Sequence, residues 1–104
     1  MNPLVTCIYF NTKGTYSVYR ALKMFWDQAY CNKEIIIVDD NKSNIYVPKD
    51  NKIIYIQVAK QCDKRQKINI AMKYAKGNTC VLWDHHAMLW TYTLRDCASK
   101  IIKH

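Results

Sequence analysis

Ile35, Ile36, Ile37 and Val38 run together without a polar break. A strand with one face in water alternates apolar and polar residues. An unbroken β-branched run instead fits a strand buried on both faces, the usual condition in a parallel sheet covered by helices. This run therefore requires covering layers on both sides. It stops at Asp39-Asp40-Asn41, which puts two carboxylates at the carboxyl end of that strand.

The rest of the chain supplies the layers. Leu4 to Phe10 is a predicted strand, and Asn11, Thr12, Lys13 and Gly14 break it into a turn. Thr15 or Ser17 is the expected cap of a helix. Val18, Ala21, Leu22, Phe25, Trp26 and Ala29 follow at the spacing of one buried helical face, and Tyr30-Cys31-Asn32 closes it. After the Glu34 to Val38 strand, a polar loop reaches about Asn51, and Lys52 to Val58 forms a third strand. A polar, basic stretch from Gln61 to Arg65 leads into an amphipathic helix carrying Ile68, Ala71, Met72 and Ala75. Gly77 is then expected at a left-handed C-cap. Thr79 to Trp83 is a fourth strand with Cys80-Val81-Leu82 as its core, and Asp84-His85-His86 follows it directly. Ala87 to Tyr92 is apolar and reads as neither type, while Thr93 to Ile102 is a predicted closing helix.

The order β-α-β-β-α-β-α predicts an α/β, Rossmann-like fold. Its mostly parallel sheet has about four strands flanked by helices, in one domain over residues 1–104. Ligands of such sheets sit beyond the carboxyl ends of the strands. Asn11-Thr12-Lys13, Asp39-Asp40 and Asp84-His85-His86 all fall there. Taken alone, Asp39-Asp40 reads more simply as a strand end entering a turn, and His85-His86 as surface residues.

Net charge is +8, from 16 Lys and Arg against 8 acids. Such a surface favours polyanions or phosphorylated ligands. Arginine, the better tool for bidentate reading of bases, occurs only at positions 20, 65 and 95. Nucleic acid is therefore the less favoured partner. The five cysteines include no C-x-x-C pair, and Cys7 and Cys80 lie inside apolar runs. They read as reduced thiols packed as small apolar residues. No apolar run approaches the roughly 20 residues of a membrane span. A charged, then apolar, leader is also absent from the start of the sequence. A cytoplasmic location without a membrane span is the expectation.

At this point the sequence resembles the N-terminal, nucleotide-sugar-binding half of the family-2, A-type-fold glycosyltransferases. That family's first strand reads roughly P-x-V-S-V-I-I-P-T-Y-N, and Pro3 to Lys13 runs alongside it without a gap. Arg20-Ala21-Leu22 matches its R-A-L. Asp27 to Glu34 reproduces N-Q-x-Y-x-N-x-E, and Ile35 to Ser43 follows I-I-V-V-D-D-G-S. Asn69 to His86 stays in register with N-x-G-x-x-x-A-x-G-E-Y-I-x-F-L-D-D-D. Each block is weak alone, but together, in order and at the family's spacing, they are specific.

The resemblance implies a nucleoside diphosphate sugar, UDP- or GDP-linked, as ligand. It assigns nucleotide contacts to Asn11, Thr12, Lys13 and Asp40, with Asp39 as neighbour. The basic residues Lys60, Lys64, Arg65 and Lys67 either face the diphosphate or form a solvated helix start, and Lys67 is carried among the nucleotide-binding candidates. The family's D-x-D motif binds a divalent cation that screens the leaving diphosphate. Here it reads Asp84-His85-His86. Asp84 keeps its place, with a role toward the ribose, and Asp84 and His86 are the implied metal ligands. Imidazole suits Mn²⁺ better than the harder Mg²⁺.

No catalytic base is identified, because Asp96 is the only carboxylate beyond Asp84. The family's acceptor-binding half has no counterpart in these residues. Three readings follow. The first is a glycosyltransferase-like protein that transfers the sugar with a second chain or by self-association. An interface around Met88-Leu89-Trp90 would serve that role. The second is an inactive binding or interaction module on the same fold. The third, a basic nucleic-acid-binding protein, ranks below both.

Overall fold

The computed structural model describes residues 3–11, 15–40, 47–59, 62–77 and 79–84; for Thr15 to Ser17, Trp83 and Asp84 it describes the backbone alone. The elements are β1 (Val5–Asn11), α1 (Thr15–Trp26), β2 (Lys33–Asp39), β3 (Ile53–Gln57), α2 (Lys64–Met72) and β4 (Thr79–Asp84). They form a four-stranded sheet in the order β3-β2-β1-β4, with every pairing parallel. This is the α/β, Rossmann-like sheet expected from the sequence. The predicted helix over residues 93–102 and the Met88-Leu89-Trp90 interface lie outside the described residues.

The run that most constrained the fold divides as the two-layer argument requires. Ile35 and Ile37 enter one core with Val5, Cys7 and Tyr9 of β1 and Val18, Ala21, Leu22 and Phe25 of α1. Ile36 and Val38 enter the other core with Ile8, Phe10 and Ala71, against which Ile68 and Ala75 pack. Each helix thus seals one face. Burying a large apolar side chain contributes roughly 1.5–3 kcal/mol, and β1, β2 and the inner face of α1 carry nearly all of the buried apolar side chains among the described residues.

Helix α1 stops at Trp26, before the predicted Ala29. The apolar spacing that continues to Ala29 is coincidental, since Ala29 is exposed. Lys33 supplies the physical reason. Its buried Nζ donates to the carbonyls of Phe25 (2.8 Å), Gln28 (3.0 Å) and Trp26 (3.4 Å). The ammonium thereby satisfies the last carbonyls of α1 and sits at the negative end of its dipole. Burial pushes the Lys33 pKa down, against the pull of nearby Cys7, Cys31 and Asp27. Ser17 lies inside α1, so it is not the helix cap.

The structure corrects two further expectations. Helix α2 ends at Met72 with Lys73 as its C-cap, so Gly77 is not the cap. Gly77 also lies outside the left-handed region, and its requirement is space. A Cβ there would stand 2.6 Å from the Leu4 carbonyl oxygen, 2.6 Å from Thr6 Oγ1 and 2.9 Å from the Thr6 nitrogen. Met72, expected on the buried face of α2, is half exposed, and Ala71 alone is buried. A nine-residue helix presents only a narrow stripe to the sheet, which Ile68 and Ala71 occupy, and Ala75 packs against the same core from just beyond the helix end. Leu82, expected in the core of β4, is also half exposed, because β4 is the outer strand of the described sheet.

A polar tie fixes the amino end of the sheet. Buried Glu34 accepts from the Thr6 hydroxyl (2.7 Å) and the Lys76 backbone N–H (2.8 Å). Thr6 Oγ1 in turn accepts from the Gly77 N–H (3.0 Å). The connection from α2 to β4 is thereby anchored to β1 and β2, which sets the register of β4 and hence the height of Asp84.

Candidate functional site

The site builds up from strand register. Asn11, the last residue of β1, pairs with Asp39, the last of β2. Phe10 pairs with Asp84, the last of β4. Asp39 pairs with Gln57, the last of β3. Parallel strands in register thus carry Asn11, Asp39 and Asp84 to one lip of the sheet. The strand order turns back at β1, with β2 on one side and β4 on the other. A crevice opens at such a point because successive connections leave toward opposite faces.

Two polar assemblies occupy this lip, one on each side of the sheet. Asn11, Asp39 and Tyr55 continue the rows that fill the α1-side core. Asn11 Nδ2 donates to Asp39 Oδ1 at 3.0 Å, and the Tyr55 hydroxyl donates to Asp39 Oδ2. Both Asn11 and Asp39 are fully buried. Backbone bonds tighten the same spot: the Asp40 N–H reaches the Asn11 carbonyl (3.2 Å) and the Val58 N–H reaches the Asp39 carbonyl (2.8 Å). On the other side Asp40 Oδ2 accepts from Lys67 Nζ of α2 at 2.6 Å, with side chains only 9% and 11% exposed. Lys67 is positioned by the first turn of α2. Asp63 caps that turn by accepting from the Gln66 N–H, and Gln66 returns the bond to the Asp63 N–H.

The structure therefore brings together Asn11, Asp39, Asp40 and Lys67, with the backbone of Asp84 beside them. Lys64 and Arg65 are exposed at the start of α2. Thr12, Lys13, Lys60, His85 and His86 lie outside the described residues, as does the side chain of Asp84. Among the described residues no group of three or more His, Cys, Asp or Glu can hold a metal ion. Of the lip carboxylates, Asp39 is already committed to Asn11 and Tyr55, and one oxygen of Asp40 to Lys67. In the sequence Tyr55 marks only a strand position. Its signal was a hydroxyl inside the covered run Ile53-Ile54-Tyr55-Ile56, which needs a partner when buried. A separate open groove, lined by Val47, Pro48, Asp50, Ile53 and Tyr55, runs beside β3. It lies toward the amino end of that strand and shares only Tyr55 with the lip.

The Tyr55 hydroxyl has a pH consequence. Burial pushes its pKa well above the ordinary 10.0, and the hydrogen bond and charge of Asp39 push it further. A raised folded pKa keeps the hydroxyl's contribution intact below the unfolded value, and it is lost as pH rises past that value. Tyr55→Phe is expected to cost about 1–2 kcal/mol at neutral pH by stripping a donor from buried Asp39. That deficit relative to wild type shrinks above about pH 10. Chemical denaturation at neutral pH and again above the tyrosine range checks this; a deficit constant across both contradicts it.

No family model and no curated protein matches the chain. Among solved structures it is similar to the mannosyltransferase PcManGT from Pyrobaculum calidifontis, determined in complex with GDP-Man and Mn2+. The TM-score is 0.71 at 18% sequence identity, over 96% of this chain and 32% of that one. The likeness shows a glycosyltransferase-type fold. The chain thus spans about a third of the length of that structure. Among the described residues no helix is long and apolar enough to cross a membrane.

Proposed function

We propose that this domain binds a nucleoside diphosphate sugar, UDP- or GDP-linked, at the lip formed by β1, β2 and β4. It would serve there as the donor-binding part of a family-2-type glycosyltransferase. The observation that carries the reading is the convergence of Asn11, Asp39, Asp40 and Lys67 at the strand-order reversal of a glycosyltransferase-type sheet. The similar mannosyltransferase was solved with GDP-Man and Mn2+, which supports the same ligand class here.

In this reading Asp40 and Lys67 offer opposite charges at one point. The carboxylate can accept from a base or ribose, and the ammonium can donate to an oxygen of the ligand. Asp84 and His86 would hold a divalent cation, with Mn²⁺ preferred to Mg²⁺ because one ligand is an imidazole. The cation would screen the diphosphate as the sugar leaves. The acceptor site and the base that deprotonates the acceptor are assigned to chain beyond these elements, to a second protein or to a second copy.

Isothermal calorimetry with UDP and GDP, each with and without Mn²⁺, tests this. The expected result is saturable binding strengthened by Mn²⁺. Absence of heat with either nucleotide, metal or no metal, rejects it. A second reading, a binding module without transferase activity, is favoured by the internal engagement of Asp39 and Asp40. It predicts nucleotide binding without hydrolysis or transfer from any donor sugar, alongside tight association with another protein.

A further inference from the structure

Strand β3 is an outer strand of the described sheet, with β2 as its neighbour. The Ile35 N–H donates to the Lys52 carbonyl and the Val58 N–H to the Asp39 carbonyl, both at 2.8 Å. Successive residues of a parallel strand turn their backbone groups alternately to one side and the other. Lys52, Ile54, Ile56 and Val58 therefore face β2, and Ile53, Tyr55 and Gln57 face away from it. The Ile53 N–H turns to the Asp50 carbonyl at 3.0 Å. Among the described residues, the Ile53 carbonyl and both backbone groups of Tyr55 and Gln57 have no backbone partner. Such a row is a template for another strand, and proteins commonly blunt it with lysine. Here no charged residue occurs from Ile53 to Ala59. Lys52, next to the strand, is turned back toward the start of β2, where its Nζ donates to the Cys31 carbonyl at 3.2 Å.

We propose that β3 pairs antiparallel with β3 of a second copy of this chain, about a two-fold axis at Tyr55. The sequence is self-complementary about that point, since Ile54-Tyr55-Ile56 reads the same in both directions. The axis sets Tyr55 against Tyr55, and Ile54 of each copy against Ile56 of the other. Each Tyr55 N–H then reaches the other Tyr55 carbonyl, and each Gln57 N–H reaches the other copy's Ile53 carbonyl. The side chains agree with this register. Ile53 and Tyr55 pack toward the α1-side core, Ile54 and Ile56 toward the α2-side core, and all four are only half-buried. Pairing covers both rows with β-branched and aromatic partners, the combinations that stabilise cross-strand contacts. An open groove of about 530 Å³ borders Ile53 and Tyr55, so the α1 side of this edge is accessible. No like charges meet: Lys52 lies across from Val58, and Ile53 from Gln57. The interface is isologous, and it joins the two sheets into one with their lips at opposite ends. It is also small, and each copy carries a net charge of +8, so the dimer is weak and reversible.

Sedimentation velocity of the whole chain from micromolar to millimolar concentration tests the proposal, together with amide hydrogen exchange followed by NMR. A reversible monomer–dimer equilibrium is expected, with more dimer at high salt, because salt screens the like net charges. The Tyr55 and Gln57 amides are expected to exchange about tenfold more slowly, or slower still, at the highest concentration than at the lowest. The Ile54 and Ile56 amides face β2 and are expected to be protected at both. Gln57→Pro removes an outward N–H that β2 does not use, a position where an edge strand tolerates proline. Its dissociation constant is expected to rise about tenfold or more, with the unfolding midpoint of the dilute protein unchanged. Should that variant fail to fold, the exchange pattern of the wild type still decides. A chain that stays monomeric across the range overturns the proposal. So does a dimer that leaves the Tyr55 and Gln57 amides exchanging as in the monomer, since association then uses another surface. Protection of both amides in the dilute monomer also overturns it, because the chain's own residues then cover the edge. Each of these outcomes leaves the nucleotide reading of the lip standing.

Discussion

Gly77→Ala is expected to lower the thermal unfolding midpoint by more than about 10 °C, from a loss of about 3 kcal/mol. A methyl group at this position meets backbone on β1: the Leu4 carbonyl oxygen at 2.6 Å and the Thr6 nitrogen at 2.9 Å. Neither atom can swing aside as a side chain would, because Val5 and Thr6 are locked into pairing with both β2 and β4. The third close atom, Thr6 Oγ1, is the acceptor of the Gly77 N–H and the donor to Glu34. Relieving the clash therefore breaks the polar tie between β1, β2 and the α2–β4 connection. Because that tie sets the register of β4, the variant is also expected to weaken nucleotide binding at the opposite lip. Calorimetric unfolding of the purified variant checks the first effect; a midpoint within about 2 °C of wild type contradicts the close-packing account.

The second large effect is expected at the Lys67–Asp40 pair. Lys67→Met leaves Asp40 as a nearly buried carboxylate without its counter-ion, and removing one partner of a buried pair costs several kcal/mol. With side chains 9% and 11% exposed, solvent recovers little of this, and the expected loss is about 2–3 kcal/mol. Asp40→Asn in the same background removes the stranded charge and is expected to restore about half of the loss or more. Asp40→Asn alone leaves a Lys on a flexible stem that can reach solvent, so it is the milder single change. Denaturant titration of the two single variants and the double variant measures the coupling. Strict additivity contradicts a direct interaction. Both single variants are also expected to weaken UDP and GDP binding, since each alters a charge that the proposed ligand meets.

Much of this architecture was legible because it depends on residue types at fixed spacing. Ile35 to Val38 demanded two covering layers, and the structure divides those four residues between two cores. The clustering of Asn11, Asp39 and Asp84 at one lip followed from parallel strands alone, since each ends a strand. Less legible were features set by contacts distant in sequence. The end of α1 was overextended to Ala29 because apolar periodicity cannot register the capping of its carbonyls by Lys33, which lies beyond the turn. Gly77 was read as a cap because glycine after a helix usually serves that purpose. Its actual neighbours are some 70 residues earlier, on β1. Tyr55 was hidden for the same reason, as its partner Asp39 belongs to the neighbouring strand. The Asp63 and Gln66 capping box, which fixes where α2 presents Lys67, carries its own signal in a spacing of three, but the polar, basic stretch around it masks that signal.

The most direct measurement of the central claim is an amide NMR titration with GDP, then with GDP and Mn²⁺. Chemical-shift changes are expected at Asn11, Asp39, Asp40, Lys67 and Asp84, and paramagnetic broadening by Mn²⁺ is expected to be strongest around Asp84. Perturbations confined to the groove at Val47 to Asn51, or scattered over the lysines with no focus at the ends of β1, β2 and β4, contradict the account.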